Sequence, residues 1–552
     1  MALFLGVALA FSFAFMHTAW VSEDAFITFR VVDNALNGYG IVWNPGERVQ
    51  VYTHPLWFFL VLSGVAIFDD PYYFSLGLSY VLLIATLLLL GRVAKERWAL
   101  GGIVLVCALL WSRAFVDYSS SGLENPLVHA LLVLYALVCL RGAGSGWGPL
   151  LLTLLASALF LTRPDVLVLI FPSFVYVCWR ERQNLFRLIL GLAVGGIPAL
   201  LWVAFSVFYY GVPVPNTALA KVATGIDSWQ SAVQAWNYLV WTAETDLVTL
   251  ALLLLGVVLG CSSRDRVLAS LGLGIVAWFL YLFYVGADYM GGRFFSAAVL
   301  LAVVVCAVFV SRNASFSLVA AVLVFLVFNA GALSRTVFSP LGFSQQLISS
   351  SGIADERGFY YQALGLWPSL QRGTWFAHPW LAEGAAIGSR PGLYARCAIG
   401  MSAFAAGPAV RWIDPLALTE PFLARLPART NVRVGHYERA FPKGFLESET
   451  SRVNKVEDPV LRDLYRDVDI AVRAPLLSEG RLAAIWRLNS GAYSGRLGGF
   501  DREAIGLPGV PVQTRAPLSC FGLPYGWDGF WRIDGDPARV SKVMVQDGLS
   551  QQ

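Results

Sequence analysis

Residues 2–30, ALFLGVALAFSFAFMHTAWVSEDAFITFR, decide how the rest of the chain is read. Positions 2–21 form an apolar run long enough to cross bilayer hydrocarbon, which takes roughly 20 residues. Ser22, Glu23 and Asp24 follow at once, so two adjacent carboxylates stand at the membrane surface. Charge in that position is expensive and is kept where it does chemistry or holds a partner. The run lacks a basic leader and a small-x-small cleavage pattern, so it is expected to be a first spanning helix rather than a signal peptide. On a helix starting near Ser22, Asp24, Ile27, Thr28 and Val31 share one face. That spacing favours Asp24 over Glu23 as the acid that looks into a pocket, with Phe26 and Phe29 resting on lipid or on neighbouring helices.

The same pattern continues through 552 residues that are 57% hydrophobic and 14% charged, with a mean hydropathy of +0.62. This is the composition of a polytopic α-helical membrane protein. Further apolar runs fall near 55–68, 72–91, 98–115, 126–140, 149–161, 166–179, 188–210, 247–261, 267–285, 294–311 and 314–333. Basic clusters orient them: Arg92, Lys95 and Arg97, then Arg141, then Arg180, Arg182 and Arg187, then Arg264 and Arg266, then Arg312, all in short loops expected to be cytoplasmic. If the first helix runs outward, 22–54 is external and only one crossing fits before Arg92. The short run 55–68, opened by His54-Pro55, is therefore expected to be a juxtamembrane helix, which leaves about 11 transmembrane helices. The expected division is a transmembrane module over 1–335 and a soluble α+β domain over 336–552 on the external, periplasmic side. Strands are read there over 392–400 and 430–435.

Other classes are disfavoured. The net charge of +4 says little, because in a membrane protein the placement of Lys and Arg matters more than their sum, and nothing points to nucleic acid. The five histidines are scattered and pair with no cysteine at metal spacing, so no zinc site is expected. A transporter would show internal repeats and midplane charges, and neither is present. Five of the seven cysteines lie in apolar runs as packing residues, whereas Cys397 and Cys520 share the external region and can pair in an oxidising compartment.

The topology gathers the polar motifs on one face: Glu23 and Asp24, Asn44-Pro45-Gly46-Glu47-Arg48, Tyr52-Thr53-His54-Pro55, Ser121-Gly122-Leu123-Glu124-Asn125, Arg163-Pro164-Asp165, Pro215-Asn216-Thr217 with Lys221, and Asp288-Tyr289 with Arg293. Such a face suits glycosyl transfer, which needs a base for an acceptor hydroxyl and cations for a leaving group that departs as an anion. Asp24 or Glu23 can be the base. For a lipid phosphate, Lys221, Arg293, Arg163 and His54 are the candidate ligands, and Glu124, Asp165, Asn216 and Asp288 are further pocket residues. Each also has a structural reading. Glu23 can salt-bridge, Arg163 and Asp165 can satisfy each other, Lys221 can snorkel, Asp288 can pair with Arg293, and Trp43, Trp57, Tyr52 and Tyr289 can belong to the interfacial belt. The adjacent Glu23-Asp24 pair is a weak candidate for a divalent cation.

Taken together, Trp20 to Arg30, Val42-Trp43-Asn44-Pro45-Gly46-Glu47-Arg48, Thr53-His54-Pro55-Leu56-Trp57, Ser121-Gly122-Leu123-Glu124-Asn125, Pro215-Asn216-Thr217 with Lys221, and Asp414-Pro415-Leu416-Ala417-Leu418-Thr419 ahead of Gly435-His436 resemble the AftB-type arabinofuranosyltransferases of the GT-C superfamily. The resemblance implies a polyprenyl-phosphate-linked arabinofuranose donor, an active site on the outer face of a bacterial plasma (inner) membrane, a catalytic acid in the first external loop, matching Asp24, and a periplasmic C-terminal domain. Similar Gram-negative proteins are thought to arabinosylate type IV pilin, so a cell-envelope glycan and a glycoprotein both stand as acceptors. A GT-C transferase for another lipid-linked sugar is the nearest rival, ahead of a non-catalytic envelope scaffold.

Overall fold

A computed structural model describes residues 2–93, 100–141, 147–222, 224–313, 316–338, 348–388, 390–430 and 435–497, with three short strands beyond them. The apolar runs become helices: α1 (Ala2–Thr18), α2 (Glu23–Leu36), α3 (Pro55–Phe68), α4 (Pro71–Val93), α5 (Leu100–Ala108), α6 (Arg113–Asp117), α7 (Asn125–Arg141), α8 (Gly148–Thr162), α9 (Val166–Arg180), α10 (Leu185–Tyr210), α11 (Asn216–Val222), α12 (Ser228–Thr245), α13 (Leu247–Cys261), α14 (Arg266–Val285), α15 (Arg293–Asn313), α16 (Phe316–Phe328) and α17 (Ala330–Leu333). Local chemistry sets their ends. Pro55 opens α3, where a missing N–H does no harm. The Asp246 side chain caps α13, and glycines at positive φ, Gly211 and Gly286, close α10 and α14.

Four helices, α4, α10, α14 and α15, are long and apolar enough to cross a bilayer, and up to six spans result if two bent pairs each count as one. That makes the chain a multi-pass helical membrane protein. Breaks account for the shorter pieces. The run read over 98–115 is interrupted at Ser112, whose side chain accepts from Phe115 N (3.2 Å) and starts α6 anew. The run 314–333 bends by 65° after Phe328. α2, α11 and α12 have no counterpart among the apolar runs, and α12, which mixes polar and aromatic residues, meets α13 at 113°.

Small residues let the spans approach closely, as membrane interfaces favour. A Cβ on Gly260 of α13 would lie 2.8 Å from Gly272 Cα of α14. α15 is the central helix, with 83% of its apolar window buried, whereas α10 has only 17% buried and faces outward. Arg293, the first residue of α15, is thereby fixed at the end of the most enclosed element.

Beyond residue 348 the chain is mixed, with α18 (Glu356–Leu364), α19 (Leu366–Arg372), α20 (Pro379–Gly388), α21 (Gly400–Ala406), α22 (Phe445–Ser451), α23 (Pro459–Arg473) and α24 (Arg481–Asn489). Strand β1 (Gly392–Ala395) pairs in parallel with β2 (Val410–Ile413), Gly392 opposite Val410. Two further short strands, β3 (Ser519–Cys520) and β4 (Leu523–Pro524), pair with each other, and β5 (Trp531–Arg532) adds antiparallel to β1. The strand read at 392–400 is therefore present at its start. The one read at 430–435 lies mostly outside the described residues. Cys397 is disulfide-bonded, whereas Cys107, Cys139, Cys178, Cys261 and Cys306 are free thiols.

This C-terminal segment closes over the 22–54 segment. The buried Arg30 guanidinium donates to Trp43 O (3.0 Å), Gly407 O (3.0 Å), Val410 O (2.8 Å) and Ala403 O. Asn44 exchanges two hydrogen bonds with the Trp412 backbone, at 3.0 and 3.1 Å. Phe26 and Phe29 do not meet lipid, because both are buried and pack edge-on against Phe404 of α21.

Candidate active site

Four pieces of chain meet beneath this cover: the start of α2, His54 before α3, the 119–125 loop, and the turn 286–293 into α15. Ser22 N donates to Ser121 O (2.9 Å), and Trp57 Nε1 donates to Gly122 O (3.2 Å). Gly122 sits at φ +72°, and a Cβ there would come within 2.9 Å of Val21 and Ala25, so only glycine lets the loop lie this close to α2. The loop in turn delivers Glu124, which is 1% exposed, to the centre.

Arg293 organises what lies there. Its guanidinium is 3.3 Å from Glu124 Oε1, 3.8 Å from Asp24 Oδ2 and 3.9 Å from Asp288 Oδ2. His54 Nδ1 stands 3.1 Å from Glu124 Oε2 and its Nε2 2.8 Å from Thr28 Oγ1. This suits the tautomer in which Nδ1–H donates to Glu124 and Nε2 accepts from Thr28. The Tyr289 hydroxyl donates to Asp24 Oδ2 at 3.5 Å, and the Tyr289 ring has the His436 ring edge-on at 4.2 Å and the Lys221 ammonium at 5.9 Å. Asp24 is the most accessible of the three acids around Arg293, its side chain 23% exposed against 1% for Glu124 and 5% for Asp288. Ser120, Ser121 and Asn125 keep buried polar atoms with no partner among the described residues, a pattern that water or a polar ligand would satisfy.

The two reactive-looking acids differ electrically. Burial raises the Asp24 carboxyl above its ordinary range, opposed by Arg293 and Lys221 and assisted by Asp288 and Glu124. Burial also pushes Glu124 upward, but Arg293, the His54 hydrogen bond and charge, and Arg163 outweigh it and hold Glu124 well below the carboxylate range. The surroundings thus favour the ionised form of Glu124 and the protonated form of Asp24.

Several expected site residues do something else. Glu23 is no partner of Asp24 in the pocket: its carboxylate accepts from Gly400 N and Met401 N (3.3 Å), at the start of α21. The adjacent pair therefore does not converge on one cation. Among the described residues no group of three or more His, Cys, Asp or Glu is placed to hold a metal ion. Asn216 is tied to Ala417 O (2.9 Å) and Leu418 O (3.1 Å), which fixes the 414–419 loop rather than reaching the Arg293 cluster. Arg163 and Asp165 satisfy each other through a fork at 3.0–3.1 Å, with Arg163 also stacked over Phe294 at 4.9 Å. Lys221 is exposed and has no ion-pair partner among the described residues. Two residues named in the sequence without a site role prove to line the cluster: Thr28, which shares the helix face of Asp24 and bonds His54, and Tyr289, read as a ring of the interfacial belt, which bonds Asp24.

No protein-family profile matches the chain. The terminal β-(1→2)-arabinofuranosyltransferase of Mycobacterium tuberculosis is 28% identical over 533 residues, covering 79% of this chain and 83% of that protein. The chain resembles the AftB-type arabinofuranosyltransferases over most of its length. The Corynebacterium glutamicum protein of the same AftB description is 28% identical over 409 residues, covering 62% of this chain and 55% of its own length. A crystal structure of ArnT from Cupriavidus metallidurans bound to undecaprenyl phosphate aligns at a TM-score of 0.48 and 12% identity, over 74% of this chain and 85% of that one.

Proposed function

We propose that this protein is a membrane arabinofuranosyltransferase that moves D-arabinofuranose from a polyprenyl phosphate to an acceptor hydroxyl outside the bacterial plasma membrane. The observation that carries it is Asp24: a partly accessible carboxylate of raised proton affinity, beside an arginine held by three acids, on a chain that resembles AftB-type enzymes along most of its length. Asp24 takes the acceptor hydroxyl proton as the new glycosidic bond forms. The bond between the anomeric carbon and the phosphate oxygen breaks, and the lipid phosphate leaves with the electron pair.

The exposed Lys221 is the first ligand for that phosphate, since Arg293 already faces Asp24, Glu124 and Asp288. Arg293 sets the position and charge of those acids, and His54 locks Glu124 against it. The reading includes a GT-C-like architecture with the N-terminus inside, about 11 crossings, and residues 336–552 as a periplasmic domain over the site. A cell-envelope glycan is the acceptor in this reading.

The test is Asp24→Asn in a purified assay with polyprenyl-phosphate arabinofuranose. Transfer should be abolished while the protein expresses, folds and binds the donor. Turnover that persists would remove the assignment.

A further inference from the structure

The C-terminal segment carries an apolar patch that nothing among the described residues covers. Leu477, Leu482 and Trp486 are 88%, 72% and 73% exposed. Leu482 and Trp486 are four residues apart on α24 and so lie on one face. On a surface in water, a leucine and a tryptophan exposed on one helix face, with a further exposed leucine shortly before it in the chain, are unfavourable, and such patches mark a site of contact.

The position of the patch says with what. Arg481, fully buried, donates to Phe208 O (2.8 Å) and Tyr209 O (3.0 Å), the carbonyls left open in the last turn of α10. Asn489 adds a bond to Gly211 O at 2.8 Å. α24 is therefore bolted to the C-terminal end of an outward-facing apolar helix long enough to cross a bilayer. Tryptophan and leucine are favoured at the membrane interface. Beside them, a cleft at the same helix end is lined by Arg48, Arg425, Tyr210 and Leu488, with no carboxylate among its described lining residues. Its charge complements an anionic headgroup.

We propose that the 477–486 surface docks into the outer leaflet beside α10, with Arg48 and Arg425 facing the headgroups of anionic phospholipid. It rests on the proposed topology only for the choice of leaflet. Lipid contact at α24 then adds to the protein contacts that α2, α10 and α11 already make with the C-terminal cover.

The experiment uses full-length protein in nanodiscs. The emission of Trp486 is taken as the difference between wild type and Trp486→Phe, in phosphatidylcholine with and without bromine near the top of the acyl chains, and with or without phosphatidylglycerol. Trp486 emission is expected to fall about twofold or more with brominated lipid, as an interfacial indole would. Phosphatidylglycerol should strengthen the quenching in wild type but not in Arg48→Gln/Arg425→Gln. Unquenched, water-like emission would overturn the proposal, and so would a patch shielded in a dimer seen by light scattering. The leaflet is read separately, by labelling Glu479→Cys with an impermeant maleimide in spheroplasts. Labelling from outside is expected, and its failure would sink the topology while leaving the lipid contact to be judged by the quenching.

Discussion

Two charge clusters in this protein are built from the same residue types and differ in balance. Around Arg293, three carboxylates share one guanidinium at 3.3–3.9 Å. Under the C-terminal segment, Glu47 and Glu449 are gripped by Arg411, Arg452 and Arg473, with Glu47 Oε1 at 2.9, 3.1 and 3.2 Å from the three. Glu449 Oε2 is 2.6 Å from Arg473 and 2.9 Å from Arg411. The second cluster is closed: its acids are saturated by short charge-assisted bonds, so it can only hold chain segments together. The first is loose and has more acid than base, so a proton or an incoming charged group changes its energy. Chemistry belongs in the cluster that is not already satisfied.

The comparison makes Asp24→Asn the most damaging change for turnover, by about 10³-fold or more, since general-base removal commonly has effects of that order. Product formation by folded protein measures it. Glu47→Gln should do the reverse, lowering stability by about 3–5 kcal/mol through stranded buried arginines, with turnover per folded molecule preserved. Thermal unfolding alongside active-site-normalised kinetics separates the two. A Glu47 variant that unfolds normally but loses turnover would erase the distinction between the clusters. Lys221→Ala should raise the donor KM about tenfold, the loss of one charge-assisted contact, with a smaller change in kcat.

The smallest effect concerns Glu23. Burial first, and then the Asp24 charge, push its carboxyl up from 4.5 to about 8. A raised folded-state value means the proton is held more tightly in the native protein. Its contribution is therefore fully present below about pH 4.5 and is lost as pH rises through about 8. Glu23→Gln should flatten the fall in unfolding temperature between pH 5 and pH 8.5. Equal slopes in the two proteins would show that Glu23 ionises freely.

Local patterns were readable wherever one helix or turn decided them. The bounds of the runs at 55–68 and 247–261 match α3 and α13, because apolar length and a capping residue are written side by side. Helical spacing also separated Asp24 from Glu23, since adjacent residues point about 100° apart. What lay beyond reach were partners distant in the chain. Glu23 looked catalytic because its acceptor role toward Gly400 depends on a segment 377 residues away, and Asn216 because its carbonyl partners are about 200 residues on. Tyr289 could not be tied to Asp24 for the same reason. α12 escaped because a polar-aromatic helix at an interface has no long apolar run to announce it.

Arg30 binds carbonyls at 403, 407 and 410, in chain made long after the helix that carries it. During synthesis α2 must therefore wait, its guanidinium unmatched, until residues 403–410 have been made. A chain truncated near residue 340 would keep its membrane helices but have no partner for Arg30. Such a protein would keep α2 without the carbonyls that hold it in place, so the order in which the chain is made sets the order in which this part of the fold can be assembled.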